Sequence, residues 1–263
     1  MTSVVTRVKK KQISEAMAQE KRMDGRDLNE YRELKIEQGI IERAEGSARV
    51  TLGRTEVVVG VKIEMGEPFP DTPNEGVLTV NAELTPIASP EFEAGPPDEM
   101  SIELARIVDR GIRESKAINT EKMVIEAGKK VFVVFVDIYV LNHDGNLIDA
   151  SAFAAMSALL NTKMANYEVK DGEVQIKPGY EQLPIQNHPI TITVAKIGDK
   201  LVVDPILEEE EVMDARISMA IDDDQNICAI QKGGNSYFKP EEILEAAKIA
   251  ETKAKEMRKK LNW

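Results

Sequence analysis

Cysteine is almost missing from this chain. Cys228 is the only one in 263 residues, which excludes an internal disulfide framework and fits a reducing compartment. It lies in the apolar run NICAI, where a free thiol is expected to act as a small buried hydrophobe. Histidine is nearly as scarce. His143 and His188 are the two present, and neither has a second His or Cys at ligand spacing, so no metal site of the zinc type is expected. There is no P-loop and no GxGxxG turn after a strand, which removes the commonest nucleotide cradles. No nucleophile elbow marks a Ser–His–Asp arrangement. Long apolar runs are lacking too: Val131 to Val136 is the longest, far below the roughly 18–20 residues of a membrane span. The opening MTSVVTRVKKKQ has no apolar core for a secretory signal. The expectation is a cytoplasmic protein with no membrane partner.

What is present is the composition of a globular chain, 42% hydrophobic and 30% charged, long enough to bury one large core or two packed halves. The net charge is −12. A stand-alone nucleic-acid binder is normally basic, because phosphates must be neutralised. Any such role here requires cations gathered on one surface, or a partner that supplies the rest. Only the first 35 residues are basic, with nine Lys or Arg against six Asp or Glu.

Periodicity gives the order of elements. Ser14 is placed to cap a short helix through Arg22, with Ile13 as its staple. SARVTL and TEVVVGVKIEM, separated by Gly53–Arg54, read as a hairpin. The Pro/Gly-rich stretch from Gly66 is a loop, and a strand follows from Leu78. Leu104, Ile107, Val108, Gly111, Ile112 and Ser115 fall at helical spacing, predicting an amphipathic helix over Met100 to Ala117. The run from Val131 reads as a central strand, apolar on both faces. His143 to Asn146 is a turn, and an Ala- and Ser-rich helix runs from Asp149 to Met164. ITITVAKIG, KLVVDPI, EVMDARISMAI and NICAIQK form an antiparallel set. A last helix over Pro240 to Leu261 carries Ile243, Ala247, Ala250, Ala254, Met257 and Leu261 on one stripe. Strands followed by helices, twice, argue for an α+β duplicated layout: an arm over 1–30, one half over 31–170, a second over 171–263.

Two charge constellations carry possible chemistry. Between Asp204 and Asp224 lie nine acids and one base, Arg216. Clustered carboxylates of this kind hold Mg²⁺, although a solvated charged turn is the simpler reading and is preferred. Arg106, Arg110 and Arg113 share one face of the helix, opposite its apolar stripe. They can grip successive phosphates of a single strand, or serve only in local pairs such as Asp109–Arg113 and Arg110–Glu114.

Five stretches in order, RMDGR (Arg22–Arg26), GSARVTLGRTEVVVGVK (Gly46–Lys62), IELARIVDRGIRESKAI (Ile102–Ile118), VDIYVLNHDGNLIDA (Val136–Ala150) and VVDPILEEEEVMDAR (Val202–Arg216), give a chain that resembles the RNase PH family, and within it the non-catalytic RNase-PH-type subunits of archaeal exosomes. The resemblance implies an RNase PH-like fold of two β-sheet/helix halves with antiparallel and mixed sheets, and a family chemistry in which phosphate attacks the terminal phosphodiester of RNA. Catalytic relatives carry Ser or Thr followed by Arg in the Asp-Gly turn. Those places fall on Leu147 and Ile148, whose side chains can neither donate to an anion nor neutralise it. Of the two Asp that flank the acidic run in active members, the first falls on Glu210 and the second on Arg216. The Arg pair before the RNA-side helix is replaced by Pro97–Asp98–Glu99. The resemblance therefore implies a degenerate site, with no catalytic residue, metal or cofactor of its own, and a helix whose Arg106, Arg110 and Arg113 line an RNA path. It also implies a catalytic RNase-PH-like partner, three such heterodimers in a six-membered ring, and cap subunits with S1 or KH domains. An active phosphorolytic or metal-dependent exoribonuclease and a purely structural ring spacer are the alternatives.

Overall fold

The computed structural model describes residues 4–170 and 173–263. Its first sheet is built from β1 (Leu34–Gln38), β2 (Gly46–Leu52), β3 (Thr55–Gly66), β4 (Val77–Leu84), the short β5 (Val124–Glu126) and β6 (Lys130–Asn142). The order is β1-β2-β3-β6-β4, antiparallel except where β4 runs parallel to β6, and β5 pairs with β6. The hairpin turn at Gly53–Arg54 sets the β2/β3 register, with Leu52 opposite Thr55. A separate hairpin, β7 (Lys163–Lys170) with β8 (Glu173–Gln182), leads into the second sheet. That sheet is wholly antiparallel: β9 (Ile190–Ile197), β10 (Lys200–Val203), β11 (Ala215–Ile221) and β12 (Ile227–Gly233), in the order β10-β9-β11-β12.

Helices α2 (Glu99–Glu114) and α3 (Leu147–Leu160) lie between the two sheets. The α2 stripe is buried as its spacing requires, through Leu104, Ile107, Val108, Gly111 and Ile112. A Cβ on Gly111 would lie 3.5 Å from Ala220 and 3.6 Å from the Thr191 hydroxyl, ordinary contact distances that show how near the helix lies to the second sheet. In α3, Ala150, Ala154, Ala155 and Ala158 are fully buried; small side chains let a helix approach sheets on two sides. Because β9 is covered by α3 on one face and by α5 (Pro240–Leu261) on the other, all eight of its residues are buried. Its parity shows the two faces: Thr193 bonds to Asp149 of α3, whereas Lys196 pairs with Glu242 of α5 at 2.6 Å.

Several boundaries differ from the periodicity reading. The N-terminal helix α1 spans Val4–Ala18, so Ser14 sits inside it rather than at its start. Ile13 is no staple; with Met17 it packs on Ala195, Ile197, Val202 and Val212 of the second half. Helix α3 begins two residues early, and Met164 belongs to β7. On α5 the buried line is Ala246, Ala250, Ala254 and Met257, so the predicted stripe holds at Ala250, Ala254 and Met257, while Ile243 is exposed and Ala247 and Leu261 are half-buried. Strand β6 is apolar on both faces only near its start; farther on Tyr139 is exposed, and Phe135 and Asp137 are half-buried. Cys228 is half-buried on β12 and donates toward Asp222; burial pushes its thiol up to about 11.

A buried ionic network joins the arm to both halves. Asp204, fully buried with φ +48°, accepts from the Arg32 backbone N–H at 2.9 Å, from Arg32 Nη2 at 2.7 Å and from Arg26 Nη1 at 2.9 Å. Asn146 Nδ2 donates to it at 2.9 Å. Arg22 is held by the buried Glu209 carboxylate and donates to the Val203 and Asp204 carbonyls. Arg32 also reaches the Asp144 and Gly145 carbonyls. Breaking such a buried pair leaves its partners charged and dry. Asp204→Ala is therefore expected to lower unfolding free energy by about 3–5 kcal/mol, measured as a drop in the denaturant midpoint at unchanged slope.

Candidate nucleic-acid interface

The turn after β6 is shaped by one close approach. Gly145 has φ +87°, and a Cβ there would come within 2.5 Å of the Pro205–Leu207 backbone. Only glycine meets both conditions. The chain then enters α3 through Asn146 at φ +53°. Leu147 and Ile148 form the first helical turn and are buried in the main core. Their side chains fill apolar space where a phosphate cradle would require donors.

The acidic run is solvated only in part: Glu208 and Glu211 are exposed and Glu209 is buried. It folds into the short helix α4 (Leu207–Glu210), and its acids are divided between partners. Glu209 binds Arg22, while Glu210 Oε1 accepts from the Asn146 N–H at 2.9 Å. Arg216, on β11, is near enough to pull on Glu210 but pairs with Glu103 of α2 at 2.7 Å. Asp98 serves as the N-cap of α2, accepting from Ser101 N at 2.8 Å. An acid suits that place, since helix N-termini favour negative charge.

The arginine face divides likewise. Arg106 is exposed and has no hydrogen-bond or ion-pair partner among the described residues. Arg110 donates to Gln231 Oε1 of β12 at 3.2 Å. Both line a groove of about 310 Å³ between α2 and β12, with Glu99, Ile102, Glu103, Ile107 and Gln231. Arg113 lies outside that lining, paired with Asp109 at 2.6 Å and donating to the Leu78 carbonyl; no Arg110–Glu114 pair accompanies it among the described residues. Gln231 was invisible to spacing arguments, because 121 residues separate it from Arg110 and only sheet order brings β12 beside α2. The arm arginines had a faint signal: a basic segment needs acids, and the one acid-rich stretch lies at 204–224.

The molecule is thus an α+β protein of two sheets around two helices, one of which carries an arginine-lined groove. Similarity to known proteins places it more narrowly. Domain 1 of the 3' exoribonuclease family (RNase PH) matches residues 30–165, and domain 2 matches residues 187–253; the chain belongs to this family. It is 54% identical over 258 residues to the exosome complex component Rrp42 of Pyrococcus horikoshii, covering 97% of this chain and 94% of the relative. To the Rrp42 of Thermococcus onnurineus it is 52% identical over 260 residues, 98% and 96% of the two chains. A chain of an Archaeoglobus fulgidus exosome solved with RNA bound to the active site superposes with TM-score 0.90 at 45% identity, covering 98% of this chain and all of that one.

Two buried carboxyls near the turn titrate in an unusual range. Burial pushes Glu210 up to about 7, against the pull of the Asn146 N–H, Arg216 and Arg32; part of its side chain still touches solvent. Burial pushes Asp149 up to about 6, although Tyr31, Asn146 and Thr193 all donate to it. For Asp204 burial also works upward, but Arg32 and Asn146 hold it below the ordinary carboxylate range. A raised carboxyl binds protons in the folded state that the unfolded chain has released, so stability falls as pH rises from about 4.5 through 7, at up to about 1.4 kcal/mol per pH unit per proton. Asp204 has the opposite sign and acts only below about pH 4. Glu210→Gln, which keeps the acceptor for Asn146, is expected to flatten the decline between pH 5 and 7.5 in denaturant titrations.

Proposed function

We propose that this chain is a non-catalytic ring subunit of an archaeal-type exosome that works in the cytoplasm, guiding RNA to a catalytic RNase-PH-like partner and helping to shape that partner's site. Three such heterodimers would close a six-membered ring, with S1- or KH-domain subunits as its caps. The observation that carries the reading is a division of labour within the chain. The anion turn is filled by buried Leu147 and Ile148 and its acid Glu210 is tied to the turn backbone, while Arg106 and Arg110 stand in an open groove. Phosphate contact survives where phosphorolysis has no cradle. The Rrp42 relatives and the RNA-bound exosome chain support the same assignment.

Guanidiniums on phosphates position a strand without reading its bases. The acidic balance of −12 then fits a subunit whose RNA affinity is concentrated in one groove and completed by others.

The isolated subunit is expected to release no nucleoside diphosphates from RNA and inorganic phosphate, whereas the complex with its partner does so; robust activity of the subunit alone defeats the proposal. In the assembled ring, Arg106→Ala with Arg110→Ala should weaken binding of all RNA sequences about equally. The log–log salt dependence should flatten by roughly 0.7 for each single-strand phosphate that is no longer neutralised. A slope that does not change, with the ring intact, would identify a structural spacer.

A further inference from the structure

Arg216 looks like a relic, a cation where active relatives carry an acid. Its surroundings give it a present task. It leaves β11 opposite Gly233 of β12, and a Cβ on that glycine would lie 2.8 Å from Arg216 Cζ. The guanidinium therefore lies against the β12 backbone and is aimed across to α2, where its Nη2 meets Glu103 Oε2 at 2.7 Å. Glu103 lines the same groove as Arg106 and Arg110. It is also three residues before Arg106, a spacing at which opposite charges on a helix pair readily. The groove thus contains an acid well placed to capture its exposed cation. Arg106 nevertheless has no partner among the described residues, and Glu103 is paired with Arg216 instead. Arg110 is aimed by a separate device, the Gln231 side chain.

We infer that Arg216 is a positioning residue: by occupying Glu103 it keeps Arg106 uncommitted and available to an RNA phosphate. The inference rests on the groove being the RNA path. The residue that removes the old acid from one site supplies, through Glu103, a usable cation to another. Arg216 itself touches no substrate. Its removal frees a carboxylate that competes with phosphate for Arg106 and adds one negative charge beside the strand.

The test is a charge cycle in the assembled ring. Arg216→Ala is expected to weaken RNA binding and to flatten its log–log salt slope by roughly 0.7, equivalent to one single-strand phosphate left unneutralised, raising KM for long RNA more than it lowers kcat. Adding Glu103→Gln should restore affinity and slope, because the amide cannot hold Arg106 as a carboxylate does. Gly233→Ala, which displaces the guanidinium without removing it, should act in the same direction as Arg216→Ala. A readout independent of RNA is the Arg106 Nε–H proton in side-chain NMR of the full chain: its exchange should slow in Arg216→Ala and recover in the double variant. An Arg106 signal unmoved by Arg216→Ala, or an affinity loss that persists with Glu103→Gln, overturns the inference. Failure of the groove reading itself appears elsewhere, as unchanged RNA affinity when Arg106 and Arg110 are both removed.

Discussion

The buried carboxylate of Asp204 is the point on which the rest of the molecule hangs. It follows β10 in the second sheet and gathers Arg26 from the arm, Arg32 from the segment before β1 and Asn146 from the turn that opens α3. A buried charge is tolerable only when paired and fully hydrogen-bonded, so its position dictates where three separate segments must lie. Arg32 extends the constraint by holding the Asp144 and Gly145 carbonyls, and Arg22 adds the Glu209 pair. The first turn of α3 is thereby fixed against the Pro205–Leu207 segment, and with it Leu147 and Ile148. The turn that opens α3 is a structural joint.

Once α3 is anchored, α2 follows. Both helices occupy the layer between the sheets, and α2 packs against the second sheet at Gly111, beside Ala220 and Thr191. That approach creates the groove. It places Arg110 within reach of Gln231 and Glu103 within reach of Arg216, so one helix presents apolar residues inward and cations to the groove. The groove also holds the acid Glu99, but several neighbouring acids are occupied. Glu103, Glu209 and Asp204 each have a cationic partner, and Glu210 has a backbone donor.

Much of the fold was legible in the residues. The hairpin at Gly53–Arg54, the α2 stripe, the four antiparallel strands of the second half and the Pro240 start of α5 all follow from local rules: turn chemistry, a 3.6-residue period, alternation, and proline at a helix start. The β7/β8 hairpin and β1 went unread because their polar alternation carries little signal. The α5 stripe was right at Ala250, Ala254 and Met257 and missed at Ile243, which the sheet leaves exposed.

By itself, the sequence determined that the turn into α3 offers no side-chain donors at Leu147 and Ile148 in any conformation. It also determined that three arginines share a helical face, because i, i+4 and i+7 spacing is a property of the helix alone. Which of them is available was decided by tertiary structure. Arg113 is bound by Asp109 and the Leu78 carbonyl, and Arg110 is steered by a glutamine 121 residues away. Arg106 has no partner among the described residues, and the acid one turn before it is occupied by Arg216. A side chain's charge is written in its chemistry, but its availability depends on which opposite charges the fold brings within a few ångströms, and those come from strands far off in the chain.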